Sequence, residues 1–448
     1  MKKIFKIFSL IVLSIVCIDV FIATENVSAN TINELKSKIT TRGNTIEQLE
    51  KDIKKYKQEI IETQTQVKTL KNSIYELDLT RKKLLTEVEI TDNKIESTNY
   101  TLQKIQEETA NTVDKINKGK DTIGQLIRNM DEMEDISLLE MALANTELSV
   151  IWNDIENIQR FKSVILNNIK KLKVFKKELE NKKLENEIEK KILLQLEDQL
   201  LDQKKIVEIN KENKNSLLTE TKNQESTYQT IITNKKAAKE IFERELASFE
   251  SQLQIEIDKS RLPSLGSGAL GWPLKDMSLN LCSSAQGKTA ANCITQYFGD
   301  TTFARSGAYN GNGHNGVDFR VATGEPVYAS ASGTIKETGN TDLYPGCYSY
   351  GKWIFITHNN GLSTLYAHLS LIKVKSGQNI QKGDIIGYSG NTGFSTGPHL
   401  HYGVYASEGT QITRLGDVKS ITNCANARIP VASFNAYLNP IDYLSQTK

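Results

Sequence analysis

The chain has 448 residues, and its 56 Lys and Arg against 54 Asp and Glu leave a formal charge of +2. That balance excludes a basic, phosphate-seeking surface as the dominant feature, and with it nucleic acid as the expected partner. The averages conceal two unlike parts: residues 1–262 hold 87 charged side chains and no proline, while all seven prolines, all five histidines and 24 of 27 glycines lie at or beyond Pro263.

Residues 1–29 read as a signal peptide. Lys2, Lys3 and Lys6 precede an apolar run from Ile7 to Ile18, and Val27-Ser28-Ala29 places small residues before the cleavage point. Asp19 stops the run short of the roughly 20 residues a membrane helix needs. Export to the envelope, periplasm or exterior with cleavage after Ala29 is therefore expected over a retained anchor. Cys17 follows Val16, where a lipoprotein acceptor would want a small residue, and stays part of the signal. The remaining Cys282, Cys293, Cys347 and Cys424 show no Cys-x-x-Cys spacing, which in an exported domain suggests two disulfides. Three pairings are open; Cys282 with Cys293, a short local loop, and Cys347 with Cys424 is the favoured one.

From Ile32 to Ile105, alternate steps of three and four residues land on Ile, Leu, Val or Tyr at 17 of 22 positions, the seam of a coiled coil. A second proline-free stretch runs from about Ser149 to Lys259, with Ile151, Ile155, Ile158, Ile165 and Ile169 among its apolar positions. A long antiparallel hairpin over residues 30–262 is expected, in preference to a parallel dimer; nothing in the sequence sets an oligomeric state. Between the arms, Ser137-Leu138-Leu139-Glu140 reads as a capping box opening an apolar tip near 136–152. A self-packed knob and a docking site for a partner are both open there. No catalytic chemistry is visible before residue 263.

Residues 263–271, with Pro263 and Gly266-Ser267-Gly268, read as a flexible linker. Residues 272–448 then carry short β-favouring runs: Gly316 to Arg320, Pro326 to Ser330, Gly333 to Thr338, Lys352 to His358, Leu362 to His368, Ile385 to Tyr388 and Leu400 to Tyr405. The fold class is α+β in separate domains, a helical hairpin followed by a compact antiparallel β-sheet domain.

Four of the five histidines cluster. In His314-Asn315-Gly316-Val317-Asp318 the glycine disfavours a helix, and an extended segment puts His314 and Asp318 on one face, able to share a cation. In His399-Leu400-His401 a strand puts both imidazoles on one face, one to bind metal and one to reach substrate. His368 closes the run Leu365-Tyr366-Ala367. Two nitrogens and one carboxylate oxygen suit zinc and leave a fourth position for water. His358, beside Asn359-Asn360-Gly361, reads as an ordinary structural residue.

These residues stand in four ordered blocks: His314 to Phe319; Gly324-Glu325-Pro326-Val327-Tyr328-Ala329 with Gly333-Thr334-Ile335; Gly361 to Leu369; and Gly390-Asn391-Thr392-Gly393 with Thr396-Gly397-Pro398-His399-Leu400-His401. So ordered, residues 271–444 resemble the lysostaphin or LytM type of zinc metallopeptidase. The resemblance implies that His314, Asp318 and His401 bind Zn2+, that His368 and His399 are the catalytic histidines, and that Tyr309 corresponds to a tyrosine stabilising the transition state. It also implies a groove that cuts peptidoglycan peptides. The two-part architecture resembles, in addition, EnvC-type murein hydrolase activators, whose coiled coil engages a division-site membrane complex and whose degenerate peptidase domain switches on an amidase. Such activators lack part of the metal and catalytic set, and here all five positions are filled.

Overall fold

The computed structural model describes residues 2–64, 68–134, 148–253, 255–282, 292–301, 313–418 and 423–445, leaving aside the side chains of 2–30, 132–134, 148–155, 157, 158 and 278. The amino-terminal signal reading, the apolar tip and Tyr309 fall on residues or side chains outside that set. Among the described residues no helix is long and apolar enough to cross a membrane.

Four long helices come first: α1 (Lys2–Gln64), α2 (Leu70–Glu134), α3 (Leu148–Thr221) and α4 (Glu225–Glu250). The seam read from the sequence is buried at Leu35, Ile60, Leu70, Leu84, Leu102 and Ile105. It is not one continuous arm, however. The Thr69 hydroxyl accepts a hydrogen bond from the Asn72 amide at 3.1 Å and caps a new helix at Leu70, so α1 and α2 pair with each other. The second arm divides as well, at Lys222 and Asn223, whose φ angles of 50° and 55° are left-handed; the Asn223 amide returns to the Leu218 carbonyl at 3.2 Å and closes α3. A count of apolar spacing is blind to the first stop, because the period resumes in phase at Leu70.

The chain forms two compact units. The first comprises residues 1–49 and 89–200. There α1 and α2 run antiparallel, Arg42 bonding Asn93 at 3.0 Å and pairing with Glu96, while Lys38 lies over the Tyr100 ring. α2 and α3 are antiparallel too: Lys182 pairs with Glu108 at 2.7 Å, and Gly119 meets Leu172 so closely that a Cβ would lie 2.8 Å from its methyl.

The second unit comprises residues 50–88 and 201–448 and joins helix ends to the β domain. Its strands are β1 (Met277–Leu281), β2 (Asn292–Gln296), β3 (Val317–Arg320), β4 (Pro326–Tyr328), β5 (Gly333–Asn340), β6 (Lys352–His358), β7 (Leu362–Ile372), β8 (Asn379–Ile380), β9 (Ile385–Ser389), β10 (His399–Ala406), β11 (Thr410–Arg414), β12 (Arg428–Ala432) and β13 (Tyr437–Leu438). The main path is β1-β2-β3-β10-β7-β6-β5-β8, antiparallel from β2 onward, with β9 bridging β4 and β7. Phe319, Ile354, Ile356, Tyr366, Leu369 and Tyr402 sit in its core. Both favoured disulfides, Cys282–Cys293 and Cys347–Cys424, are present. The Gly-Ser segment is tied down: the Gly266 amide bonds the Asp442 carbonyl at 2.7 Å and the Leu270 amide the Tyr443 carbonyl at 2.9 Å. Leu270 is fully buried and supplies the reason; its apolar side chain joins the core and immobilises the glycines before it.

The helix ends are held to the domain by a buried ion cluster. Lys83, on α2, is wholly buried; its Nζ contacts Glu325 at 2.7 Å, Glu87 at 2.9 Å and the Thr323 carbonyl at 2.9 Å, and Lys57 reaches Glu325 at 2.8 Å. Beside it Gly324, at φ 93°, leaves room for Leu84, whose methyl would lie 2.5 Å from any Cβ there. On α3, Asp202 bonds Lys373 and the Tyr388 hydroxyl.

Candidate metal centre and catalytic groove

The central strands β3, β10 and β7 carry the site, because antiparallel pairing sets His401 opposite Asp318 on one side and opposite Ala367, next to His368, on the other. His314 precedes β3 and is fixed by a bridge to Gly299. Its Nδ1 faces the Tyr297 carbonyl at 3.0 Å, which turns Nε2 inward. Nε2 then lies 3.2 Å from Asp318 Oδ1 and 3.1 Å from His401 Nδ1, and His401 Nδ1 lies 2.9 Å from Asp318 Oδ1. Gly316 makes this approach possible: a Cβ there would come within 2.7 Å of the His401 ring and of the Tyr402 carbonyl.

Three ligand atoms of this type, bound at about 2.0–2.1 Å around a tetrahedral ion, would stand roughly 3.3 Å apart. His314, Asp318 and His401 therefore fit a small tetrahedral cation. The electrostatics agree. Burial pushes the Asp318 carboxyl up, but His314, His399 and the hydrogen bonds of His314 and His401 outweigh it and hold it well below its ordinary range. Burial lowers His401 against the pull of Asp318, keeping the neutral imidazole a ligand requires.

Two further imidazoles flank the cluster. His399 Nδ1 donates to the Gly397 carbonyl at 2.8 Å with Ser395 Oγ 3.0 Å away, so Nε2 faces the cluster, 3.9 Å from Asp318. His368 Nδ1 donates to the Thr392 carbonyl at 2.8 Å, and its ring centroid is 4.5 Å from that of His399. Burial, then His399 and His401, lower its pKa well below the ordinary histidine range. Its φ of 60° is left-handed, unusual for a residue with a Cβ. The block Gly390 to Gly393 has a role here: Thr392 orients His368, while its hydroxyl ties β7 through the Leu369 carbonyl at 2.8 Å.

His358 stands apart, as read. Its ring bridges the Ser332 carbonyl at 3.1 Å and Thr364 Oγ1 at 2.8 Å, and burial pushes its pKa down to about 4. Because the folded value lies below the unfolded one near 6.5, its contribution to stability is complete above pH 6.5 and is lost as pH falls toward 4. The parent is expected to lose about 3 kcal/mol more than a His358→Gln variant between pH 7 and pH 4; denaturant titrations at several pH values check this.

Three features of the groove carry no periodic signal in the sequence. Tyr350, buried, sets its ring 5.8 Å from that of His401 and its hydroxyl 3.1 Å from Asn315 Nδ2. Ser395 helps orient His399. Most unexpectedly, α4 borders the site: Phe242, Leu246 and Glu250 line the same cavity, of about 370 Å³, as His314, His399 and His401. The spacing of Phe242, Leu246 and Phe249 marks an apolar face on α4 but does not say what it covers.

Residues 312–413 match Peptidase family M23. Peptidoglycan DD-endopeptidase ShyA of Vibrio cholerae is 49% identical over 89 residues, 20% of this chain and 19% of that protein. Glycyl-glycine endopeptidase ALE-1 of Staphylococcus capitis is 45% identical over 94 residues, 21% of this chain and 25% of that protein. A solved structure of the catalytic domain of lysostaphin from Staphylococcus simulans aligns at 31% identity over 34% of this chain and 90% of that one, with a TM-score of 0.25. The chain spans about a fifth of the length of the curated relatives it matches. The matched residues 312–413 include β3, β7 and β10, so every strand that carries the site lies inside the stretch that matches Peptidase family M23.

Proposed function

We propose that the protein is an exported, zinc-dependent endopeptidase that hydrolyses peptide cross-links of peptidoglycan in cell-wall remodelling or division. The observation that carries this reading is the convergence of His314 Nε2, Asp318 Oδ1 and His401 Nδ1 at 2.9–3.2 Å beside two inward-facing imidazoles. These three residues would hold zinc, which when bound supplies Lewis-acid polarisation of the scissile carbonyl and of water. His399 and His368, each fixed by an Nδ1–H bond to a carbonyl, present basic Nε2 atoms to the groove. One takes a proton as water adds to the carbonyl, and the proton passes to the amine as the C–N bond breaks. An imidazolium so formed also stabilises the oxyanion. Tyr309 keeps the part its sequence position suggests, stabilising the transition state. All five metal and catalytic positions are filled, which supports an enzyme over a non-catalytic amidase activator.

The names of the relatives support peptidoglycan as substrate, and the signal-like residues 1–29 support export. The apolar tip near 136–152 would dock a division-site membrane complex. The direct test is digestion of purified sacculi by the full chain at pH 8, with mass spectrometry of the fragments. Peptide fragments opened at their cross-links should appear, vanish with a chelator and return with added zinc. Sacculi left intact under all three conditions would count against the reading.

A further inference from the structure

A groove that binds an extended peptide next to its reacting centre must be open along its length, and here a helix borders it and lines the same cavity as the histidines. Phe242, 3% exposed, and Leu246 are packed among Tyr350, Trp353 and Leu365. Lys239 stands 4.9 Å over the Phe394 ring and Lys235 5.3 Å over Tyr348, both on the loops that frame the histidines. At the end of the helix Glu250 is buried; its Oε1 accepts from the Tyr437 hydroxyl and, at 3.3 Å, from the Ala432 amide. Glu250 sits at the negative pole of α4, which disfavours its charge. Tyr350, Tyr405 and Tyr437 face it from the domain, and among the described residues no cation contributes to its ionisation. Lys239 on the same helix pairs with Glu243 at 2.7 Å.

We propose that α4 is a displaceable cover of the substrate groove, latched by Glu250, whose burial without a cation makes the closed state favour the neutral carboxyl and the open state the carboxylate. This regulation rests on the peptidase reading of the groove. Burial pushes the Glu250 carboxyl up to about 7, against the hydrogen bonds of Tyr437 and Ala432. The sign follows. Closure is strongest below the free carboxyl value near 4.5 and weakens as pH rises toward 7, so the cover should be held about tenfold less tightly at pH 8 than at pH 6. The left-handed Lys222 and Asn223 at its leading end provide a non-helical joint about which it can move.

The test is amide hydrogen exchange of residues 239–250 in the full chain at pH 6 and pH 8, corrected for intrinsic rates, alongside hydrolysis of sacculi. In the parent, protection of α4 should fall about tenfold between the two pH values. In Glu250→Gln, which keeps the shape and cannot ionise, it should stay at the pH 6 level. A Phe242→Ser/Leu246→Ser variant should exchange rapidly at both and hydrolyse sacculi about tenfold faster than the parent at pH 6. Equal pH dependence in the parent and Glu250→Gln overturns the latch. Rapid exchange of α4 in the double variant with hydrolysis no faster than the parent's, in a protein that does hydrolyse, overturns the cover. If α4 opens as stated while no variant touches sacculi, the peptidase reading fails and with it the role of α4 as a substrate cover, while the pH-dependent latch stands.

Discussion

Replacement of His401 by alanine is expected to remove zinc binding and hydrolysis together, whereas His399→Ala keeps the metal and loses turnover. The separation follows from geometry. His401 Nδ1 is one of three atoms packed within 3.2 Å of one another, so its loss should leave two of the proposed ligands and lower metal affinity at least about a hundredfold. His399 Nε2 lies 3.9 Å from Asp318 and is held from behind by the Gly397 carbonyl. Its removal should leave the three proposed ligands in place and cost roughly 10²–10⁴ in rate, the range for the acid–base role proposed for it. Metal content by atomic spectroscopy and rates on the same preparations read both. Full activity in metal-free His401→Ala would overturn the assignment of the centre.

The second large effect concerns Lys83. Burial works against its charge, but Glu325 and Glu87 outweigh the cost and raise its pKa. Burial likewise pushes Glu87 up to about 6, while Lys83 and Lys57 overcome the same penalty at Glu325 and hold it near about 2. A Lys83→Met variant keeps the aliphatic stem and removes the charge, leaving two buried carboxyl groups with Lys57 as the remaining cation of the cluster. The expected loss is about 3–5 kcal/mol at pH 8, the range for breaking a buried pair. Near pH 5 the loss should be smaller, because Glu87 then takes a proton and the repulsion falls. Denaturant unfolding at the two pH values measures this, and a Lys83→Met/Glu87→Gln double variant should recover part of the loss at pH 8.

Legibility in the sequence followed the range of the interactions involved. The strands around His358 and His401 could be read within a residue, because each run is bounded by Gly, Asn or Pro and its apolar content is local, whereas the run read as ending at His368 continues four residues further, to Ile372. The spacing of His314 to Asp318 and of His399 to His401 announced shared faces, and the structure brings those atoms together. The helical half was harder. Coiled-coil periodicity shows that a stripe must be buried but not where the chain reverses, and the reversals depend on single capping groups such as Thr69 and on left-handed Lys222 and Asn223. Least legible was the packing of α4 and α2 against the β domain. Lys83 and Glu325 are 242 positions apart, and an isolated lysine on a charge-rich helix reads as a solvated one until its partners are in view.

His401 and Asp318 form a cross-strand pair of β10 and β3. A slip of one residue between these strands would send one of the two to the opposite face of the sheet, and no rotamer could restore the shared ligand position. If the proposed centre holds its ion, metal loading would thus report on β-pairing: a chain slipped by one residue turns its apolar set to the opposite face and forfeits the ligand position with it.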